Sequence, residues 1–339
     1  MKGRLLPILC GLLAFAAASA FAVQTDPAPV VVFTPAVVEL PSEPAAEEGV
    51  VDPNARPVES WLEAQIELSR RGFSCGPIDG VGGAQTGAAL RVFQLANGLE
   101  PNGRLDTATL ALLQLTAPAF FVRSLSAEDL AALQPVSATW LGKSEQSALA
   151  FETALEAIAE RYHAHPNLVR KMNPEVDWSA VTPKTAITVP AIERVFRNIK
   201  AARIQIRLEA RTLQAHDADG GLIAHFPVSI ARRVDKRPVG ELKVTVIAPD
   251  PNYTFDPAVF PESDEGRELG RRLILPPGPN NPVGLAWIGL SLAGYGIHGT
   301  PIPEHVGRTE SHGCFRLANW DARALLDLAW VGLPVVVEP

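Results

Sequence analysis

The sequence predicts a multidomain α+β protein. A small all-α three-helix unit and a small α/β module precede a larger β-rich domain. Three observations carry this prediction. Apolar residues recur at helical spacing between residues 59 and 115 and again after residue 148, but alternate in steps of two from Ala202 onward. The 339-residue length suits two or three domains, at about 100–200 residues each. Many of the 30 prolines lie outside any periodic stretch, where they mark linkers and extended loops.

The first 22 residues read as a cleavable leader. Lys2 and Arg4 precede an apolar run from Leu5 to Ala20, and Ala18-Ser19-Ala20 and Ala20-Phe21-Ala22 both fit a small-x-small cleavage site. The run is short for a bilayer span, and no other stretch reads as transmembrane. Residues 23–57, rich in Pro, Ala, Val and Glu, have no lasting period and form an extended linker. The net charge of -7 excludes nucleic acid as an expected partner.

Residues 58–116 form the helical unit. WLEAQIELSRRG is a helix closed by Gly72, Ala84 to Asn97 is a second, and Asp106 caps a third. Residues 117–146 connect it to the α/β module at 147–191, which reads helix, helix, short strand and ends in ITVP. His163 and His165 stand two apart, share no helical face and read as surface residues.

Residues 200–339 form the β-rich domain. Ile204, Ile206 and Leu208 line one face of a strand, Asp219-Gly220-Gly221 makes a turn, and LIAHFPVSIA runs back. LKVTVIA, LAWIGLSL, YGIHG and PVVVEP are further strands. NWDARALLDLAW is a helix with Asn319 or Asp321 as its cap. Pro249 to Gly284 reads as a long irregular segment, and loops of that length are usually functional.

Export leaves two cysteines, Cys75 and Cys314, in different predicted domains, so a disulfide between them is not expected. Cys75 reads as a small structural residue. Cys314 sits in SHGCFRL, a polar, turn-like stretch. A thiolate needs a base or a positive neighbour to form, and backbone donors to hold the oxyanion it generates at an amide carbonyl. His298, at the end of YGIHG, and His312 supply imidazoles. Gly313 lets the backbone approach a substrate, so the Gly313 and Cys314 N–H groups are candidate oxyanion donors. Arg316 suits a substrate carboxylate. The same residue types also serve zinc, with His305 as a further ligand, and a buried inert thiol is the plainest alternative.

Resemblances weight these alternatives. GFSCGPIDGVGGAQTGAALRVFQLANGLEPNGRLD resembles the peptidoglycan-binding domain of cell-wall enzymes. The framework AERY…NLVRKMNP…ITVP is similar to a LysM module. IHGTPIPEHVGRTESHGCFRLANWDA resembles the signature of the L,D-transpeptidase family with its YkuD-type catalytic domain. That resemblance implies Cys314 as nucleophile and His298 as its base, oriented by the Gly299 carbonyl. It places His312 and the Gly313 and Cys314 amides at the oxyanion site, and Arg316, Ser311 and Thr300 among the substrate contacts. Twelve residues separate His298 from Ser311, and Arg316 stands where many members have asparagine. The implied protein is a periplasmic, wall-associated enzyme acting on tetrapeptide stems and glycan strands of peptidoglycan, without metal or cofactor. Its acyl acceptor is a stem amine, an outer-membrane lipoprotein, a free D-amino acid or, in a carboxypeptidase, water. A wall-binding structural protein without activity is the alternative from another class.

Overall fold

Residues 55–192, 196, 199–260, 262–309, 311 and 313–339 are described in the computed structural model. The expected leader, and the expected linker up to residue 54, lie outside the described residues. The described end of that linker is extended and joins the fold. Strand β1 (Arg56–Pro57) pairs antiparallel with β2 (Gln114–Leu115), tying together the two ends of the helical unit.

Three helices lie between them: α1 (Trp61–Arg70), α2 (Ala84–Ala96) and α3 (Thr107–Leu112). Ser60 caps α1 by accepting from the Glu63 N–H, and Asp106 caps α3 by accepting from Thr109. Gly72 leaves α1 at φ 86°, a backbone state that favours glycine. Ile66, Leu68, Leu90, Phe93 and Leu113 fill the core, and Cys75, an unbridged thiol, is buried with them.

The next segment is built as β3 (Phe120–Ser124), α4 (Ala127–Ala131), α5 (Trp140–Glu145), α6 (Ala154–Arg161), α7 (Pro166–Met172) and β4 (Ala186–Pro190). Strands β3 and β4 pair antiparallel, from Phe120↔Pro190 to Ser124↔Ala186. Strand β3 escapes the sequence because Phe121 and Val122, adjacent in the chain, are both exposed, which erases the alternation. Helix α5 leaves this module and lies on the C-terminal domain. There Trp140 stacks on Phe255 with centroids 4.3 Å apart, and the Glu265 carboxylate accepts from the Trp140 and Leu141 N–H groups, both at 2.8 Å. The Leu149 N–H then donates to Pro277 O at 2.8 Å. His163 and His165 are half-buried, not open surface residues. His163 stacks on Trp320, and His165 caps α7 by accepting from Asn167. The apolar residues of this module and the helical unit form one continuous core, stitched by Ile78, whose N–H donates to His163 O and whose carbonyl accepts from His165.

The C-terminal domain contains β5 (Arg203–Arg207), β6 (Thr212–His216), β7 (Leu222–Pro227), β8 (Gly240–Pro249), β9 (Tyr253–Phe255), α8 (Asp264–Leu269), β10 (Leu273–Leu275), β11 (Ala286–Leu290), β12 (Gly296–His298), β13 (Phe315–Arg316), α9 (Asn319–Leu328) and β14 (Pro334–Glu338). Eight of these strands form one sheet in the order β13-β12-β11-β8-β14-β5-β6-β7. The β12/β13 and β14/β5 pairs are parallel and the rest antiparallel. Ile204, Ile206, Val335 and Val337 are buried beside Leu325 and Leu328 of α9, as period-two strands against an amphipathic helix require.

The segment expected to be irregular, 249–284, is in part regular. Strands β9 and β10 pair antiparallel and bury Tyr253, Phe255, Leu273 and Leu275 in a second apolar cluster with Trp287. Three-residue strands between prolines are too short to show a period. Helix α9 has Ala318 at its N-cap position with no side-chain cap, so neither Asn319 nor Asp321 does the expected capping. Both side chains are fully buried and turned to other elements.

Candidate active site

The sheet brings two distant pieces of sequence together. In the parallel β12/β13 pair, Ile297 faces Phe315 and His298 faces Arg316, and the Leu317 N–H donates to His298 O at 2.8 Å. The residue just before β13 is Cys314, which therefore lies alongside the start of β12. Its thiol donates to Gly294 O at 3.5 Å, and the side chain packs against the cluster that holds Tyr253 and Trp287. Trp287 in turn stacks on His298, with centroids 5.6 Å apart and planes 22° from parallel. Cysteine and histidine thus share one wall.

His298 is almost fully buried, and its Nδ1 lies 2.6 Å from Gly299 O. A carbonyl only accepts, so Nδ1 carries the hydrogen and Nε2 keeps the lone pair. Burial pushes the His298 ring down to about 3, with the Arg316 guanidinium adding to the effect and the Gly299 carbonyl opposing it. Burial pushes the Cys314 thiol up to about 11, opposed by a backbone hydrogen bond at Gly296 and by Arg316. Both shifts favour uncharged forms, a neutral thiol and a neutral imidazole with its lone pair at Nε2.

The remaining expected residues fall as follows. Ser311 is buried, its N–H donating to Ile230 O and its hydroxyl to Cys314 O at 2.5 Å, while accepting from the Gly313 N–H at 3.3 Å. Its hydroxyl bonds stay within the turn and shape it, while its backbone ties the turn to Ile230 and Arg232. The Cys314 N–H meets no acceptor among the described residues. Thr300 is buried, and its N–H donates to Asn319 Oδ1 at 3.0 Å. Arg316 is half-buried and makes no ion pair among the described residues, although its backbone is tied to Ser229 in both directions. His312 lies outside the described residues. His305 sits on a short turn between His298 and Ser311. Among the described residues no three His, Cys, Asp or Glu side chains are grouped as metal ligands.

Sequence reasoning missed Asn319 as a site residue, and with it Tyr253, Trp287 and Tyr295. The Tyr295 ring lies against Gly313, and its hydroxyl donates to Lys236 O at 3.0 Å. Asn319 five positions after the cysteine was a usable signal, but a polar residue opening a helix reads first as a cap.

Residues 201–337 match the family described as "L,D-transpeptidase catalytic domain" (YkuD), and residues 58–113 match the one described as "Putative peptidoglycan binding domain". The chain therefore carries an L,D-transpeptidase catalytic domain preceded by a peptidoglycan-binding domain. It is similar to the protein named "Putative L,D-transpeptidase YkuD" of Bacillus licheniformis, at 26% identity over 185 residues that cover 55% of this chain and 93% of that protein. It is 32% identical to "Putative L,D-transpeptidase YqjB" of Bacillus subtilis over 117 residues, 33% of this chain and 57% of that protein's length. Among solved structures, an L,D-transpeptidase from Xylanimonas cellulosilytica aligns with 87% of this chain and 100% of its own at 15% identity and a TM-score of 0.36.

Proposed function

We propose that the protein is an extracytoplasmic, periplasmic L,D-transpeptidase that uses Cys314 to exchange an amide bond in the tetrapeptide stems of peptidoglycan. The observation that carries this reading is the β12/β13 register, which sets the Cys314 turn beside a histidine whose Nδ1–H is committed to Gly299 O. His298 Nε2 takes the thiol proton as sulfur attacks the carbonyl before the terminal D-residue. The oxyanion is received by the Cys314 N–H, with Arg316 holding a stem carboxylate nearby. The proton then passes to the departing D-amino acid, leaving a thioester. An acceptor amine attacks this thioester, gives a proton back to His298 and restores the thiol. Splitting one amide exchange into two acyl transfers is the gain of covalent catalysis. Because both groups start uncharged, attack and proton transfer are coupled, and no standing thiolate is exposed to oxidants.

The preceding modules suit an insoluble substrate, since tethering raises the local concentration of stems. The peptidoglycan-binding domain at 58–113 serves that purpose. The module at 147–191, which holds α6, α7 and β4, is read as a LysM-like glycan contact, with β3 from the preceding segment completing its two-stranded sheet. No helix among the described residues is long and apolar enough to cross a membrane.

Purified sacculi or tetrapeptide muropeptides, incubated with the full chain, test this. Mass spectrometry is expected to find a thioester on Cys314 and cross-linked dimers, and Cys314→Ala to yield neither. Identical products from Cys314→Ala, or no product from the wild type, overturn the reading. Defined amines in the same assay separate transpeptidation from hydrolysis.

A further inference from the structure

Asn319 is completely buried and uses its side-chain amide at four points. Oδ1 accepts from the Leu285 N–H at 3.1 Å and the Thr300 N–H at 3.0 Å. Nδ2 donates to Glu160 Oε1 at 2.9 Å and to Pro279 O at 3.2 Å. Glycine at 284 and 299 makes room for it, since a β-carbon at either position would overlap Oδ1.

The Thr300 N–H and the Gly299 carbonyl belong to one peptide unit. In a trans peptide these two groups point in opposite directions, and the unit turns only as a rigid plane. Anchoring the N–H on Asn319 therefore aims the carbonyl the other way, where it accepts from His298 Nδ1 at 2.6 Å. Which end of the Asn319 amide faces Thr300 is set from both sides, by the Leu285 and Thr300 N–H donors at Oδ1 and by the groups at its opposite end. Glu160 and Pro279 both present acceptors there, so only the NH2 group fits. Glu160 lies on α6, outside the catalytic domain, as a residue 8% exposed at the wall of a cavity of about 420 Å³. Glu156, Glu304 and Arg323 are its charged neighbours, and burial pushes it up to about 8, so at neutral pH it is mostly protonated, and the geometry leaves Oε1 as the oxygen that accepts from Asn319.

We infer that Glu160 is a positioning residue for the catalytic domain, fixing the His298 tautomer through Asn319 and the Gly299–Thr300 peptide. The module ahead of the transpeptidase domain is then part of its catalytic apparatus as well as a tether. The inference rests on the reading of His298 as the base for Cys314. A histidine in the wrong tautomer presents N–H where a lone pair is needed, and that disables a general base while leaving the fold intact.

The test uses the full chain with 15N-labelled histidine. Two-bond proton–nitrogen spectra report which ring nitrogen is protonated, and His298→Gln assigns the signal. The wild type is expected to show the Nδ1–H form alone. Glu160→Gln, which keeps an acceptor oxygen, is expected to keep it and to form the tetrapeptide thioester within about twofold of the wild-type rate, whereas Glu160→Leu mixes the tautomers and slows thioester formation about tenfold or more. A pure Nδ1–H signal in Glu160→Leu overturns the inference, as does its loss in a folded Glu160→Gln. Should Glu160→Leu not fold, Asn319→Asp replaces it, because it sets an oxygen against Glu160 and Pro279, and an unchanged tautomer there is equally fatal. A wild type with the Nδ1–H form that makes no thioester defeats the proposed function and leaves the positioning role standing.

Discussion

Ser74 of the helical unit donates its hydroxyl hydrogen to the Asp321 carboxylate of α9 at 2.8 Å, with both side chains almost wholly buried. Beside it, the Ser74 N–H donates to His225 O and the His225 N–H to Gly72 O, both at 2.9 Å, so the helical unit extends the β7 edge of the large sheet. Peptidoglycan-binding and catalytic domains therefore share a closed boundary. Ser74→Ala is expected to cost about 1.5–3 kcal/mol, the range for a hydrogen bond to a charged group. Urea unfolding followed by circular dichroism measures this, and calorimetry of the wild type is expected to show one transition for both domains. Two separated transitions would contradict the shared boundary.

His225 predicts an acid sensitivity. It is fully buried, with neither ring nitrogen hydrogen-bonded among the described residues. Burial, with Arg207 adding to it, pushes the ring from its ordinary 6.5 down to about 4. The unfolded chain thus binds this proton more readily, so the contribution to stability is full above pH 6.5 and is lost as pH falls toward 4. The difference corresponds to roughly 3 kcal/mol. His225→Leu is expected to flatten the stability curve across that window, measured as urea midpoints at pH 7 and 4.5. An unchanged slope would assign the sensitivity elsewhere.

Gly299→Ala tests the packing behind the candidate base. The new methyl would overlap Asn319 Oδ1, displacing the amide that holds Thr300. We expect acyl transfer to fall about 100-fold or more, within the range that general-base catalysis supplies. Steady-state kinetics on tetrapeptide stems measure the loss as a fall in kcat, and any accompanying rise in KM reports the displacement of Thr300, an expected substrate contact.

Arg316 carries two expectations. Arg316→Met removes the half-buried cation assigned to a stem carboxylate, and KM is expected to rise about tenfold or more. Arg316 is also one of two influences that pull the Cys314 thiol down against burial. Its removal should move the pH profile of Cys314 alkylation further upward, so that iodoacetamide reacts more slowly at pH 9. A profile that stays put would separate Arg316 from the thiol.

The candidate site is legible where its residues are local in sequence. Cys314, Gly313 and Arg316 lie within four consecutive positions, and YGIHG announces a buried strand ending in histidine. Ile204 and Ile206 also bury as their alternation requires. What stayed hidden depends on contacts between segments far apart. Glu160 reads as one more acidic residue on a helix until its partner at position 319 is seen. Strand β3 is masked by its two exposed apolar neighbours, and β9 and β10 by the prolines around them. His163 and His165 looked like surface residues because nothing in their spacing reveals Trp320 or the cap of α7.

The excursion of α5 onto the C-terminal domain has a consequence for biosynthesis. Synthesis runs from the N-terminus, and the ring that receives Trp140, Phe255, is made long after Trp140 itself. The Glu265 carboxylate and the Pro277 carbonyl come later still. A nascent chain therefore carries an unsatisfied indole between the two halves of its small sheet until most of the polypeptide has emerged. Maturation of the early modules waits on the last domain, and a truncated product would present a sticky, unfinished surface to quality control.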